Sequence, residues 1–536
     1  MNKKFILFVT YLILGIDIYS QTCSSPSETL YFYTQEDINA FPINNPGCTE
    51  VSGSVHIEGD DIASLSGFQK ITTIGGDLII YGNNALLTLE GFESLTTILG
   101  DLIIHNNIWL TSLESLENLI IVGGTLEISS NDQINSLSPF QHLTELGGLV
   151  IDWQYHLVNL SGLENLSSIN GNLEITDNFN LNSLTGLDDV RTIRGGVVIQ
   201  GNRELLNLNG LESLTKIEHN LNIDRNKKLS NLSGLENLDS IHGALIFNYT
   251  YLSDLSALNN LSYIGKSVTI ENNFALNNLT GLENVGSIGE NLYIRNNQML
   301  YNLMGLNKLS TIRGDLFIEE NYSLSSLSGL DNLISTDGTI RIVENNYLQN
   351  LIGFSNLKSV GEHLYLSSSH SLKNLSGLDS LISIGGWLTV AYNDSLTSLT
   401  GLENINSIGG NVRIHGNCSL VSCDVQTICE CLVCTSGNTE YYDNNADCYF
   451  IPLRIEKVKI EDGIILYPNP TSNTINICGD IPPMINSITI YNLTGQTIFH
   501  QNSVDLPINI STLNSGIYFL VLTSGNKRII KKFGIQ

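Results

Sequence analysis

The segment LNSLTGLDDVRTIRGGVVIQGN, residues 181–202, decides the fold. Seven aliphatic positions recur in the other copies, namely 181, 184, 187, 190, 193, 197 and 199, while residue 198 varies between copies; the segment ends at Asn202. Successive copies of the pattern are 24 residues apart, except for spacings of 23 after Pro139 and after Gly234. A period this strict over fifteen units predicts a solenoid. The residue that precedes the Leu or Phe of each LSGLENL-like segment marks the copies: Gly67, Gly91, Ser115, Pro139, Gly162, Gly186, Gly210, Gly234, Ala257, Gly281, Gly305, Gly329, Gly353, Gly377 and Gly401.

One unit cannot fold alone, because its aliphatic side chains do not offset the entropy lost on ordering 24 residues. Stacked units must share apolar side chains and backbone hydrogen bonds. Segments such as Leu173-Glu174-Ile175 alternate between apolar and variable residues, which predicts one short parallel strand per coil with its middle residue pointing outward. The glycines before these strands are expected to need a positive φ: Gly76, Gly100, Gly124, Gly171, Gly195, Gly314, Gly386 and Gly410.

An asparagine column follows the predicted strands, three residues after the third strand residue. We interpret it as a buried ladder in which each amide pairs with turn backbone groups of its own and the neighbouring coil. A row of metal or sugar ligands is the alternative. Asp60, Gln154, Thr250 and Ser369 occupy the remaining positions of the column. Its members are Asn83, Asn107, Asn131, Asn178, Asn202, Asn226, Asn273, Asn297, Asn321, Asn345, Asn393 and Asn417.

With its repeated "IxGxLxIxxN" core, the array over about residues 50–420 resembles the receptor L-domain family of leucine-rich solenoids. The resemblance implies a right-handed, single-chain β-solenoid and extracellular ligand binding. This chain has many more coils than a typical receptor L domain, so ligand positions do not carry over. The predicted fold class is mainly β: a right-handed parallel β-solenoid of about fifteen 24-residue leucine-rich coils over residues 51–417, plus a small C-terminal β-sandwich.

The N-terminal residues 1–21 are typical of a signal peptide, with Lys3 and Lys4 before an apolar run from Phe5 to Ile16. That run is shorter than the roughly 20 residues of a membrane-spanning helix, so we expect no stable transmembrane anchor; a retained anchor is the alternative.

In an exported protein, clustered cysteines favour disulfides at the two ends of the array. Cys23 and Cys48 would staple an N-terminal cap over residues 22–50. A zinc site at Cys429, Cys431 and Cys434 is the alternative for part of the second cluster, and Cys478 has no evident partner. Six cysteines would staple a C-terminal cap over residues 418–448, with a pairing that the sequence leaves open: Cys418, Cys423, Cys429, Cys431, Cys434 and Cys448.

The last segment, residues 464–536, follows a linker at 449–463 and lacks the repeat. Alternating strands at 474–477, 487–491 and 517–522 with intervening turns predict a small β-sandwich. Its order of "YPNP", "IYNLTGQ" and "LNSGIYFLVL" resembles the type A C-terminal sorting domain of the type IX secretion system. That resemblance implies the secretion machinery as a partner, and export to the cell surface or the extracellular space. The motif residues are Tyr467, Pro468, Asn469, Pro470, Gly516 and Tyr518.

The net charge and the absence of catalytic motifs restrict the classes of function. The net charge of −28 makes nucleic acid an improbable partner, because phosphate binding rests on Lys and Arg. The excess of acidic residues lies within residues 22–451.

Neither HExxH nor GxSxG occurs, and we expect no catalytic residue, metal or cofactor. A β-helix polysaccharide lyase or hydrolase is the enzymatic alternative, but such a cleft needs loops between coils, and the spacing never exceeds 24.

The predicted outward strand positions carry aromatic and basic residues in several neighbouring coils. We therefore predict a non-catalytic recognition or adhesion protein that binds a glycan or an extracellular protein. The β-propensity of aromatic residues alone is the competing explanation, and a structural surface rod is the corresponding alternative function. The predicted ligand-binding residues are Tyr293, Phe317, Arg341 and Tyr365.

Overall fold

A computed structural model describes residues 21–24, 28–420, 439–442, 444, 465–467, 474–478, 487–502, 508–524 and 527–535. The chain divides into two compact units, Met1–Gly289 and Glu290–Gln536. Several predictions fall outside the described residues: the signal peptide up to residue 20, five cysteines of the C-terminal cap and three motif residues of the sorting segment. These residues are Cys423, Cys429, Cys431, Cys434, Cys448, Pro468, Asn469 and Pro470.

The first unit is a parallel β-solenoid, as predicted. Each long strand pairs with the equivalent strand of the next coil in register, so that Val198 lies between Glu174 and Asn222. In strands such as Leu173–Thr176 and Val197–Gln200, the first and third residues are buried, while the second and fourth are half-buried and face outward. The long strands described in this unit are Thr29–Phe32, Ser54–Ile57, Leu78–Tyr81, Leu102–His105, Thr125–Ser129, Gly148–Asp152, Leu173–Thr176, Val197–Gln200, Leu221–Asp224, Leu245–Asn248 and Val268–Glu271.

The second unit continues the same coil design. Its long strands are also parallel and in register, and the alternation of buried and half-buried residues is unchanged. The long strands described here are Leu292–Arg295, Leu316–Glu319, Ile340–Val343, Leu364–Ser367, Leu388–Ala391, Val412–His415 and Thr439–Tyr442.

Each coil also contains a second, shorter strand that the sequence pattern did not predict. In the first unit these strands are Gln21–Thr22, Cys48–Val51, Thr73–Ile74, Thr97–Ile98, Ile121–Val122, Glu145–Leu146, Ser168–Ile169, Thr192–Ile193, Lys216–Ile217, Ser240–Ile241, Tyr263–Ile264 and Ser287–Ile288. In the second unit they are Thr311–Ile312, Ser335–Thr336, Ser359–Val360, Ser383–Ile384 and Ser407–Ile408. The prediction of one strand per coil was therefore incomplete, since two sheets enclose the core of each coil.

The core consists of stacked aliphatic columns. In the coil of residues 181–202, the seven aliphatic residues named above are fully buried. Single 3-10 turns carry the chain around some coils, at Ser66–Phe68, Glu114–Leu116, Ser138–Phe140 and Ser256–Leu258. Because equivalent residues of successive coils lie on one another, each coil completes the core of its neighbours.

The asparagine column forms the predicted buried ladder. Asn202 is 0% exposed. Its Nδ2 donates to the carbonyl oxygens of Ile175 (2.7 Å) and Gln200 (3.0 Å), and its Oδ1 accepts from the amide of Asn178 (3.1 Å). Gln154, Thr250 and Ser369 are likewise buried in the column. Asp60 is exposed instead, and the amide of the preceding Gly59 donates to Asn83.

The prediction that the pre-strand glycines need a positive φ was wrong. These glycines lie instead where their coils stack closely: a Cβ on Gly124 would lie 2.8 Å from the Gly100 carbonyl carbon and 2.9 Å from the Asp101 nitrogen. Positive φ occurs instead in the Leu-x-Gly-Leu turns, as at Gly186 (115°). Both situations favour glycine, and a sequence alone does not separate them.

The N-terminal cap contains the predicted disulfide between Cys23 and Cys48, whose Cα atoms are 5.7 Å apart. It also contains an α-helix, Gln35–Asn44, that the sequence reading missed. Thr34 caps this helix, and the side chain of Asp37 accepts from the Thr34 amide in return. The hydrogen bond from the Thr34 hydroxyl holds the pKa of the Asp37 carboxyl below its usual value. At the other end, Cys418 is exposed and forms no disulfide with another described cysteine.

The C-terminal segment forms the predicted sandwich of antiparallel strands. One sheet contains Ile465–Tyr467, Thr474–Cys478 and Ile508–Asn509; the other contains Ser487–Asn492, Thr497–Gln501, Gly516–Ser524 and Lys527–Ile535. Residues of both sheets form one buried cluster. Tyr518 stacks on Phe533, and its hydroxyl donates to the Asn514 carbonyl at 2.8 Å. Across the described parts of both units, no helix combines the length and apolar character needed to cross a bilayer.

Candidate functional site

The four residues predicted to bind a ligand lie in one column on the outward face of the second unit. Strand pairing places Tyr293 beside Phe317, Phe317 beside Arg341, and Arg341 beside Tyr365. Neighbouring strands of a sheet are about 4.8 Å apart, so these side chains contact one another directly. The register fixed by the buried Leu and Ile residues therefore assembles the column.

Aromatic rings and guanidinium groups alternate within this column. The rings of Tyr293 and Phe317 meet edge to face, with centroids 5.4 Å apart. The Arg341 guanidinium carbon lies 5.5 Å from the ring centre of Phe317 and 5.6 Å from that of Tyr365. Arg295, at a fourth strand position, lies 4.6 Å from the ring centre of Tyr293. These distances are within the range of cation–π attraction.

Glu319 orients the arginines. One carboxylate oxygen lies 2.6 Å from Arg341 Nε, and the other lies 3.1 Å from Arg295 Nε. The Glu319 side chain is only 15% exposed, whereas that of Arg341 is 40% exposed. The carboxylate is thus largely covered by the guanidinium groups that it holds in place.

Three further residues extend the face, and the sequence reading did not include them in the site. The Trp387 amide donates to His363 Nδ1 at 2.8 Å, and the Arg413 guanidinium lies 5.0 Å from the Trp387 ring centre. His363 and Trp387 immediately precede their strands, so alternation within the strand did not reveal them; the same position is Asp or Asn in seven other coils. We call the whole set the arginine–aromatic face: Tyr293, Arg295, Phe317, Glu319, Arg341, His363, Tyr365, Trp387 and Arg413.

The corresponding face of the first unit has the opposite charge. None of the outward strand positions described there carries Lys or Arg, and five carry carboxylates: Glu127, Asp152, Glu174, Asp224 and Glu271. Burial raises the pKa of the Asp152 carboxyl despite a hydrogen bond from Thr176. Burial also raises the pKa of Asp224, and the neighbouring Arg225 opposes this shift.

The outward surface is only shallowly indented. An open cleft of about 300 Å³ in the first unit is lined by residues that include Asn172, Val198, His219, Asn222 and Ile246. It forms where Gly196, a residue without a side chain, lies between Asn172 and Asn220. Among the residues that the structure describes, no group of three or more His, Cys, Asp or Glu side chains could hold a metal ion.

Comparison with known families agrees with both architectures. Residues 47–119, 120–212 and 215–278 match the receptor L domain. Residues 465–536 match the secretion system C-terminal sorting domain. No curated protein matches the chain. The chain thus contains receptor L-domain repeats within a β-solenoid and ends in a C-terminal sorting domain, which marks it for type IX export to the cell surface or the extracellular space.

Proposed function

We propose that this protein is a non-catalytic recognition module that binds an extracellular glycan or protein through the arginine–aromatic face. The observation that carries the proposal is the register of Tyr293, Phe317, Arg341 and Tyr365, which places them in one contiguous column. Aromatic and arginine side chains are the types most enriched where binding energy is concentrated. Because Glu319 and the stacked rings hold the arginines, little side-chain entropy remains to be lost on binding.

A binding role is favoured over catalysis by the distance between the two outward carboxyl groups whose pKa values are raised. Asp152 and Asp224 have raised pKa values, as a general acid would need. They occupy equivalent strand positions three coils apart, which corresponds to about 14 Å. Glycosidic cleavage by a pair of carboxyl groups needs a separation of roughly 5–9.5 Å. Coils of 23 or 24 residues also leave no long loop to cover a bound substrate.

The test compares the full chain with a Tyr293→Ala/Phe317→Ala/Tyr365→Ala variant on a panel of glycans and extracellular proteins. We expect selective binding by the wild type, roughly tenfold or more weaker binding by the variant, and no turnover of the bound glycan. The matched control, Tyr301→Ala/Tyr347→Ala, removes exposed tyrosines outside the strands of the same unit and should bind normally. Equal binding by the triple variant would reject the face as the site, and chain cleavage of a bound polysaccharide would reject the non-catalytic assignment.

A further inference from the structure

The arginines of the outward sheet face are confined to the second unit. Among the described long strands, Arg occurs at outward positions only as Arg295, Arg341 and Arg413. From Arg341 to Arg413, the outward strand positions between them carry no carboxylate: they hold Val343, Tyr365, Ser367 and Thr389, and the remaining position is the buried Ala391. The chain as a whole has a net charge of −28, so these four strands differ from it in having arginines and no carboxylate at their outward positions.

From these features we propose that the arginine–aromatic face binds an anionic polysaccharide, with its carboxylate or sulfate groups at Arg341 and Arg413. The inference rests on the proposed function and specifies its ligand. Strand spacing places the two arginines about 14 Å apart along the sheet. The segment between them presents hydroxyl groups from Tyr365, Ser367 and Thr389, which can donate to and accept from sugar hydroxyls.

The ring faces indicate why a charged saccharide fits better than a neutral one. Neutral sugars bind aromatic side chains by stacking on an open ring face. Here a guanidinium group already lies over the rings of Tyr293, Phe317, Tyr365 and Trp387. What the face presents to a ligand is therefore the N–H groups of the arginines, which pair with carboxylate or sulfate oxygens.

The Arg341–Glu319 pair leaves the arginine able to bind. Glu319 approaches Nε of Arg341, and a guanidinium has five N–H donors. The side chain of Arg341 is also more exposed than that of Glu319, so an incoming anion meets the arginine first. Arg413 is placed in the same way by Glu440, whose carboxylate lies 3.1 Å from its Nε.

A saccharide is favoured over an acidic peptide by the backbone pairing of these strands. Leu364–Ser367 and Leu388–Ala391 each pair with a strand on both sides, so a peptide cannot add to them as a new strand. A peptide would have to bind through side chains alone, whereas a polysaccharide can use both the anionic and the hydroxyl groups along its chain.

The experiment measures binding of the full chain to two matched pairs of immobilised polysaccharides. Polygalacturonate is compared with its methyl-esterified form, and dextran sulfate with dextran; poly-glutamate serves as an acidic peptide. We expect binding to at least one anionic member, weakening as salt rises, and none to the neutral members. The Arg341→Gln/Arg413→Gln variant should bind the anionic polysaccharide roughly tenfold or more weakly than the wild type. The Arg341→Lys/Arg413→Lys variant should lose less affinity, because the positive charges are kept.

The control variant, Arg313→Gln/Lys358→Gln, removes two exposed charges of the same unit outside the long strands and should bind like the wild type. Three results would each reject an anionic polysaccharide as the ligand. In the first, the control variant loses as much binding as the arginine variant, and in the second, the esterified and free polymers bind equally. The third is Arg341-dependent binding of poly-glutamate that is tighter than binding of the polysaccharides. Absence of binding to all these probes would reject an anionic polysaccharide as well.

The proposed function is tested separately with the panel of glycans and extracellular proteins. It would still stand if the Tyr293→Ala/Phe317→Ala/Tyr365→Ala variant failed to bind a ligand that the wild type binds. It would be rejected if binding of every ligand in the panel were independent of these three rings.

Discussion

At the scale of single residues, the asparagine ladder supports an otherwise unfavourable backbone. The residue before each ladder position is left-handed, and in several coils it is bulky: Trp153 has φ 50°, Tyr249 49° and Tyr392 57°. Such a conformation costs of order 1–3 kcal/mol for a residue with a side chain. The following ladder residue offsets this cost by pairing the turn with the strands of two coils. The repeat pattern does not reveal the left-handed conformation that projects these aromatic side chains.

Asn202→Ala should destabilise its own and the preceding coil. It would leave the amide of Asn178 and the carbonyls of Ile175 and Gln200 without their buried partner. Each such loss costs roughly 1–3 kcal/mol, so we expect the free energy of local opening around residues 175–202 to fall by about 3 kcal/mol or more, measured by native-state hydrogen exchange.

The control for this substitution is Asn182→Ala, which alters an exposed side chain in the same coil and should change that free energy by less than about 0.5 kcal/mol. Unchanged exchange in Asn202→Ala would contradict the assigned role of the ladder.

At the scale of the coil, sequence patterns predicted the long strand because its alternation extends over four residues. The second sheet was missed, since strands such as Thr192–Ile193 contain two residues and have no measurable period. The helix Gln35–Asn44 was missed although Thr34 and Asp37 form a capping box, because it contains Pro42 and buries only Ile38 and Phe41, which gives no extended apolar period. The four predicted ligand residues came together as expected; Glu319 did not stand out, because its role depends on contacts with two neighbouring coils.

Gly124→Ala should destabilise the first unit through coil stacking. The new Cβ would lie 2.8 Å from the carbonyl carbon of Gly100, a backbone atom that cannot move without shifting the adjacent coil. We expect a loss of roughly 1–3 kcal/mol, seen as a lower denaturant midpoint of this unit. Gly286→Ala is the matched control: its Cβ would have no atom within 4 Å, so stability should be unchanged or slightly higher. A similar loss in both variants would disprove the steric explanation.

At the scale of the whole molecule, the proposed binding face and the export signal lie in different parts of the chain. The sorting domain has its own buried cluster, which includes Leu466, Ile490, Tyr518 and Phe533. Its strands form two sheets of their own. Outward positions of the described long strands carry five carboxylates and no arginine in the first unit, whereas those of the second unit carry three arginines together with Glu319 and Glu440. Composition alone predicts that the array is acidic. The different charges of the two outward faces follow only from the strand register, which defines which residues face outward.

Deleting residues 465–536 should abolish export while leaving the solenoid coils folded. The secretion signal lies in the sorting domain, and the described coils share no sheet with it. Cell fractionation should find the truncated chain retained inside the cell, whereas a reporter fused between residues 1–21 and 465–536 should reach the outside. Normal export of the truncated chain would show that another segment carries the signal.

The in-register stacking of coils has a consequence for ligand length. The core holds the backbone of Arg341 and Arg413 at a fixed number of strand spacings, so the distance between their Cα atoms does not adjust to the ligand. A short oligomer with one anionic group can engage only one arginine at a time. A polymer long enough to span both gains from a high effective concentration at the second site. The outward face would therefore select ligands by length, and affinity would increase stepwise with the degree of polymerisation.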